Sequence, residues 1–190
     1  MAVVTTKSAG IVNLDAFPIV SNTQGEGAVG HLRSVNDTLL GVVGDSIASI
    51  YRLVRIPTDA KIKQVLLNLV TASTAGAADI DVFFSDSTND GTQQSLATLA
   101  NPVVQVTGPV DNKMFGTAQA LTAVLKNTDV TFAGTFLPAH QNLPLWQVFV
   151  NLGATQFTSD PGGFFDIGLK LTTALTVTAG SIGLEVRYVE

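Results

Sequence analysis

The chain has 190 residues, a formal net charge of −5 and a sequence pI near 4.8. It contains no cysteine, which excludes a disulfide framework, a thiolate metal site and a cysteine nucleophile. The acidic balance argues against an extended basic surface, so we expect no nucleic-acid partner. A chain of this length fits one domain that buries roughly 70% of its unfolded surface.

Charged residues make up only 13% of the chain, about half of the usual ~25% in soluble domains. Two interpretations stay open: part of the surface is covered by a partner or by copies of the chain, or the surface consists of Thr, Ser, Asn and Gln. The mean hydropathy is +0.36, yet no apolar run approaches the ~18 residues of a membrane-spanning helix. Polar residues interrupt the first twenty positions, so we expect no signal peptide, no membrane partner and synthesis in the cytoplasm.

The beginning of the chain is rich in small and polar residues. Residues 1–28 are predicted to form an extended N-terminal arm that a neighbouring subunit could receive, and residues 29–190 a single domain. Short strands are predicted at 29–35 and 38–43, with a turn at Asn36 and Asp37.

Residues 46–86 predict three consecutive antiparallel strands, a meander. The strands are predicted at 46–56, 61–70 and 79–86. Pro57 ends the first because proline fixes φ and cannot donate to a ladder. In the third, Asp79 and Asp81 alternate with apolar residues, which predicts a sheet with one face toward water.

The remaining patterns complete the prediction of the fold. The residues predict a turn at 86–91, strands at 103–106 and 130–136, short helices at 117–126 and from Asn142 onward, and a final hairpin of 164–172 with 181–189, while 93–100 is ambiguous. Short strands, turns rich in Gly, Pro, Asn and Asp, and few helices indicate an all-β fold. We therefore predict an antiparallel β-sandwich, jelly-roll-like in the first instance and immunoglobulin-like as the alternative.

No catalytic constellation stands out. Residues 25–30 match G-x-G-x-x-G, but no apolar strand precedes them. The turn at 86–91 has Ala97 where a calcium loop needs a glutamate, so only a looser cation site or an Asx-rich turn stays open. His31 and His140 lack ligand-spaced partners. Asp79 and Asp81 at i and i+2 are more typical of a solvated strand than of acid/base chemistry, so we expect no enzyme, no metal and no cofactor.

Four basic residues cluster around one predicted turn: Arg52, Arg55, Lys61 and Lys63. Two interpretations stay open for them. Either they protect a solvated sheet edge, or they contact an acidic surface of a protein partner.

Several of these segments resemble small structural proteins of tailed bacteriophages. The resemblance lies in residues 27–38, 49–61, 77–91, 160–172 and 183–189, and it is weak over 92–139. It implies a virion protein of the head decoration or cement type: a β-sandwich that forms a dimer or trimer on the capsid exterior and binds the major capsid protein. No site residues carry over, since no family motif anchors them. The alternative is a glycan- or receptor-binding module of a tail assembly, which exposed aromatic side chains would favour.

Overall fold

The computed structural model describes residues 5–16, 32–41, 44–84, 113–154, 157–176 and 181–190. Within these ranges the chain forms nine strands, two short α-helices and one 3-10 helix. The strands are β1 Thr5–Lys7, β2 Arg33–Leu40, β3 Ile50–Pro57, β4 Lys61–Leu69, β5 Ala77–Phe84, β6 Gly116–Ala120, β7 Leu125–Asp129, β8 Phe164–Thr173 and β9 Ser181–Val189. The helices are α1 Ala9–Asp15, the 3-10 helix Pro138–Asn142 and α2 Leu145–Asn151.

The strands form two sheets that pack into a sandwich. The five-stranded sheet has the order β1-β3-β8-β5-β6 and the four-stranded sheet the order β2-β9-β4-β7. From β2 onward the pairing is nested, with β2 against β9, β3 against β8, β4 against β7 and β5 against β6, all antiparallel. This nested order is that of a jelly roll, so the predicted all-β, jelly-roll-like sandwich is confirmed.

Two predictions of which strands pair with each other are wrong. The strands at 46–86 do not form a meander, because β3 and β5 lie in the five-stranded sheet and β4 in the other. The last two strands do not form a hairpin: β8 pairs with β3 and β5, while β9 pairs with β2 and β4. Alternation of apolar residues tells which face of a strand is buried, but it does not tell which strand lies beside it.

The middle of the chain also differs from its prediction. The helix predicted at 117–126 is wrong, since these residues form β6, a turn and the start of β7. The strand predicted at 130–136 is wrong as well, because this segment turns and makes only one isolated bridge, between Ala133 and Gly116. Alanine and leucine at helical spacing favour a helix only weakly. In the structure β6 pairs with β5 and β7 pairs with β4, and this pairing outweighs the helix propensity.

The predicted helix after Asn142 is confirmed as α2, although Pro144 rather than Asn142 is its N-cap. Its buried side chains are Leu145, Val148 and Phe149. Two backbone bonds fix its start, from Leu145 N to Ala60 O at 2.9 Å and from Trp146 N to Thr58 O at 3.1 Å. The helix therefore covers one end of the core between the two sheets.

The described part of the predicted arm is folded against its own chain. β1 pairs in parallel with β3, and Ile11 of α1 is buried. The turn predicted at Asn36 and Asp37 is wrong, since β2 runs straight through both residues. The predictions at residues 25–30 and for His31 lie outside the described residues, as do the turn at 86–91, the ambiguous segment at 93–100 and the strand at 103–106.

Candidate functional site: the loop end of the sandwich

The structure separates the four basic residues of the predicted partner contact. Arg52 and Arg55 lie on β3 in the five-stranded sheet, with side chains that are 0% and 3% exposed. Lys61 and Lys63 lie on β4 in the other sheet and are half-buried. Lys63 Nζ donates to Gln141 O at 2.7 Å and so holds the 3-10 helix against β4. The four residues do not form one surface, and contact of the two lysines with a partner stays a prediction.

The two arginines belong to a buried group that we call the charged layer: Arg52, Arg55, Asp166 and Asp15. A bulge between Arg52 and Val54 shifts the register so that both arginines lie on the outer face of the sheet. Asp166 accepts hydrogen bonds from Arg52 Nη1 at 3.1 Å and from Arg55 Nε and Nη2 at 2.6 and 3.0 Å. Arg55 Nη1 also donates to Asp15 on α1.

The electrostatics of the charged layer are those of a structural ion-pair network. Burial lowers the pKa of Arg52 despite the opposing effect of Asp166. Burial has the largest influence on Arg55 too, but Asp166 and Asp15 together raise the pKa of Arg55. Both guanidinium groups remain charged, since arginine does not deprotonate in proteins. The network therefore joins α1 to the sheet.

Asp79 and Asp81 were predicted to face water, and that prediction is wrong. Both are buried, at 1% and 0% exposed. Asp79 Oδ1 accepts from Ala118 N at 2.7 Å, and Asp81 Oδ1 accepts from Lys113 N at 2.6 Å. These carboxylates fasten the segment around β6 to β5. In the described ranges no group of three or more His, Asp or Glu side chains is arranged to hold a metal ion.

His140 also has a structural setting. Its Nδ1 accepts from Leu137 N at 3.0 Å, and its ring lies edge-on to Phe136 at 5.5 Å between centroids. Burial lowers the pKa of His140. The neutral ring thus caps the 3-10 helix at its first residues.

A different region has the features of a contact surface. Four connections cross from one sheet to the other at the same end of the sandwich, and we call this region the loop end. Their described residues are 41, 44–49, 70–76, 121–124 and 174–176. In sequence they carry a single charged residue, Asp45, whose buried carboxylate accepts from the Tyr51 hydroxyl at 2.6 Å. The loop end is therefore almost free of charge.

Hydrogen bonds link the four connections to one another. Leu175 N donates to Asp45 O at 3.2 Å, and Ala75 N donates to Thr176 Oγ1 at 2.9 Å. Ser73 N donates to Leu121 O at 2.9 Å. Leu175 and Leu121 are buried and anchor their connections in the core. The described parts of the connections thus form one cross-linked platform.

Large apolar side chains are exposed on this platform and at the end of β2 beside it, and we call them the apolar tips. They are Leu40 at 62%, Ile47 at 60%, Val70 at 66% and Val124 at 51% exposed. Leu40 is the register partner of Ser181, and Val70 N donates to Ser181 O at 3.1 Å, so these two tips flank one residue. Val124 precedes Leu125, the register partner of Leu69.

The opposite end of the sandwich is charged. Arg33 and Glu190 form an ion pair there at 3.0 Å, and Asp59, Lys61 and Asp160 lie on or beside its turns. The contrast is a difference between connections that are far apart in the sequence, so it does not show in the sequence as a cluster of charges. A count of charged residues in each connection would have found it, once the strand ends were known.

The chain's only Trp and both Tyr lie in the described ranges, and none of them is exposed. Tyr51 and Tyr188 are buried, and Trp146 packs partly buried against the core. The exposed aromatic side chain among the described residues is Phe132, which is 47% exposed and stacks on Phe136 at 6.1 Å between centroids. It has no polar atom with which to orient a sugar, unlike Tyr or Trp.

Comparison with known proteins gives no match to any protein-family model, curated protein or solved structure. Among the helices that the structure describes, none is long and apolar enough to cross a membrane.

Proposed function

We propose that this chain is a structural virion protein of the capsid decoration or cement type, which binds the major capsid protein on the capsid exterior and stabilises the head. The observation that carries the proposal is the loop end: a cross-linked, nearly uncharged platform with four exposed apolar tips. Four of the nine large apolar side chains that are exposed among the described residues lie at this end, and large exposed apolar patches on soluble proteins mark sites of association. The sequence resemblance to tailed-phage virion proteins adds support.

The interior of the molecule suits such a role. The charged layer and the buried Asp79 and Asp81 hold α1 and the segment around β6 to the five-stranded sheet. These groups maintain the shape of the sandwich. A rigid clip of this kind stabilises a shell because many copies, each bound weakly, act together.

The jelly roll does not choose between functions, because viral capsid proteins, lectins and cupins all use it. The function therefore has to be inferred from the exposed contact surface. A glycan-binding module typically presents Tyr or Trp rings, whereas the exposed large side chains at the loop end of this chain are aliphatic. The balance therefore favours a protein partner over a sugar, and an oligomer of two or three copies stays part of the proposal.

The test is the protein's location. Particles from a culture that produces the phage are purified on a density gradient and divided into head and tail fractions, and the chain is quantified by peptide mass spectrometry. We expect it in the head fraction, in fixed proportion to the major capsid protein. Its absence from purified particles would refute the proposal, and its recovery only with tails would favour the receptor-binding alternative.

A further inference from the structure

We infer that the loop end is the attachment surface and that it fits an apolar, uncharged patch on the outside of a protein shell. The inference rests on the proposed function, and it adds the residues that touch the shell and the chemistry of the surface they meet. It places the contact away from Lys61 and Lys63, which lie on β4 beside the 3-10 helix.

The distribution of charge points to an uncharged partner surface. The chain carries a net charge of −5, but the connections of the loop end contribute only the buried Asp45. The exposed positions around the tips are small and neutral, among them Thr71, Thr74, Thr122 and Ala123. Lys126 is exposed and is the second residue of β7, two positions after Val124. A surface with so few charges gains nothing from a charged counterpart and would desolvate it at a cost.

The apolar and charged side chains lie at opposite ends of the molecule, which indicates how it is oriented on the shell. The apolar tips lie at one end, and the ion pair of Arg33 with Glu190 lies at the other. A protein that stands on a shell with the loop end inward buries its exposed apolar side chains and leaves the charged end in water. This arrangement removes apolar area from water without burying any of the charges at the far end.

The platform is prepared for binding before it meets a partner. Hydrogen bonds already join the four connections in the unbound protein. They are the bonds from Leu175 to Asp45, from Ala75 to Thr176 and from Ser73 to Leu121. A surface that is already ordered loses less conformational entropy when it binds. Few apolar tips are then enough for a stable contact when copies are joined in the proposed dimer or trimer, because the binding of one copy holds the next beside its own site.

The test compares two fourfold variants of the full chain. The tip variant carries Leu40→Ser, Ile47→Thr, Val70→Thr and Val124→Thr. The control variant removes four large apolar side chains that are exposed elsewhere, with Val12→Thr, Leu32→Ser, Leu137→Ser and Val150→Thr. Far-UV circular dichroism and thermal unfolding check that both variants fold as the parent does.

The probe is a phage head assembled without this protein, and binding is measured by co-sedimentation. We expect the tip variant to bind about tenfold more weakly or worse, which corresponds to about 1.4 kcal/mol or more, while the control variant binds as the parent does. Parent binding is expected to survive a change from about 0.1 M to about 1 M salt, over which the Debye length falls from roughly 10 to 3 Å.

The other outcomes separate the inference from the function. If parent and tip variant bind heads equally, the attachment surface lies elsewhere and only the inference falls. If high salt abolishes parent binding, the partner surface is charged and the inference also falls. If the tip mutations split an oligomer of the free protein in analytical ultracentrifugation and leave head binding intact, the loop end binds a second copy. If the parent does not bind heads at all, the proposed function falls together with the inference.

Discussion

The charged layer and the loop end reverse the usual placement of side chains. In the charged layer, two arginines and an aspartate lie at 3% exposure or less, whereas at the loop end four large aliphatic side chains are more than half exposed. The difference follows from what covers each region. α1 closes over the arginines and supplies Asp15 as a partner, while the connections end in turns that no described element covers. Burial here is decided by topology more than by residue type.

The largest expected effect is at the centre of the charged layer. Asp166→Ala leaves Arg52 and Arg55 buried without their shared carboxylate, and removing one partner of a buried ion pair typically costs about 3–5 kcal/mol. Urea unfolding of parent and variant measures the change in free energy. Glu185→Gln is the matched control, because its pair with Arg187 is at the surface and worth roughly 1 kcal/mol or less. Equal losses from both variants would show that the charged layer is not structural.

The next largest expected effect is a loss of stability from replacing a glycine between two strands, compared with a glycine at the loop end. A Cβ at Gly168 would lie 2.2 Å from Tyr51 O, so Gly168→Ala forces the backbones of β3 and β8 apart, and overpacking of this kind costs about 1–3 kcal/mol or more. Gly44 has φ +93° but open space around it, so Gly44→Ala bears only the left-handed strain of about 1–2 kcal/mol. Thermal unfolding ranks the two variants. A Gly168→Ala protein as stable as the parent would mean that the two strands separate easily.

The smallest effect is the pH dependence of His140. Burial lowers its pKa below the ordinary value, so the unfolded chain takes up the proton first as the pH falls. The stability that the neutral ring contributes is complete above pH 6.5 or so and declines below it. We expect His140→Asn to flatten the slope of unfolding free energy between pH 7.5 and 5, by about 1 kcal/mol or less. His31→Asn, which removes the other imidazole, should keep the part of the slope that His140 causes.

The positions of the long strands could be predicted from the sequence, but their partners could not. Period-two alternation located β8 and β9 almost to the residue. Their separation into different sheets depends on the connection 174–180, whose composition does not distinguish a hairpin loop from a crossing between sheets. The bulge between Arg52 and Val54 was equally invisible, and it alone turns both arginines to one face.

The candidate site could not be predicted at all, for a related reason. Leu40 and Val70 are the last apolar residues of strand patterns, and in a sequence such residues are indistinguishable from core residues. Leu40 is exposed because it lies on the outward face of β2 with Ser34, Asn36 and Thr38. Val70 follows the last residue of β4. Asp79 and Asp81 show the converse: their alternation is that of a water-facing strand, yet the segment around β6 covers them.

The nested pairing also determines when the molecule can fold. Ser34 Oγ donates to Glu185 across 151 positions of sequence, and β9 lies between β2 and β4 in the four-stranded sheet. Contacts between residues so far apart form slowly, because the intervening chain must close a large loop first. A nascent chain on the ribosome cannot complete this sheet until synthesis has passed residue 189. Until then β2 and β4 lack the strand that pairs with both of them, and their unpaired edges are open to other nascent chains, so slower synthesis lengthens the period in which aggregation competes with folding.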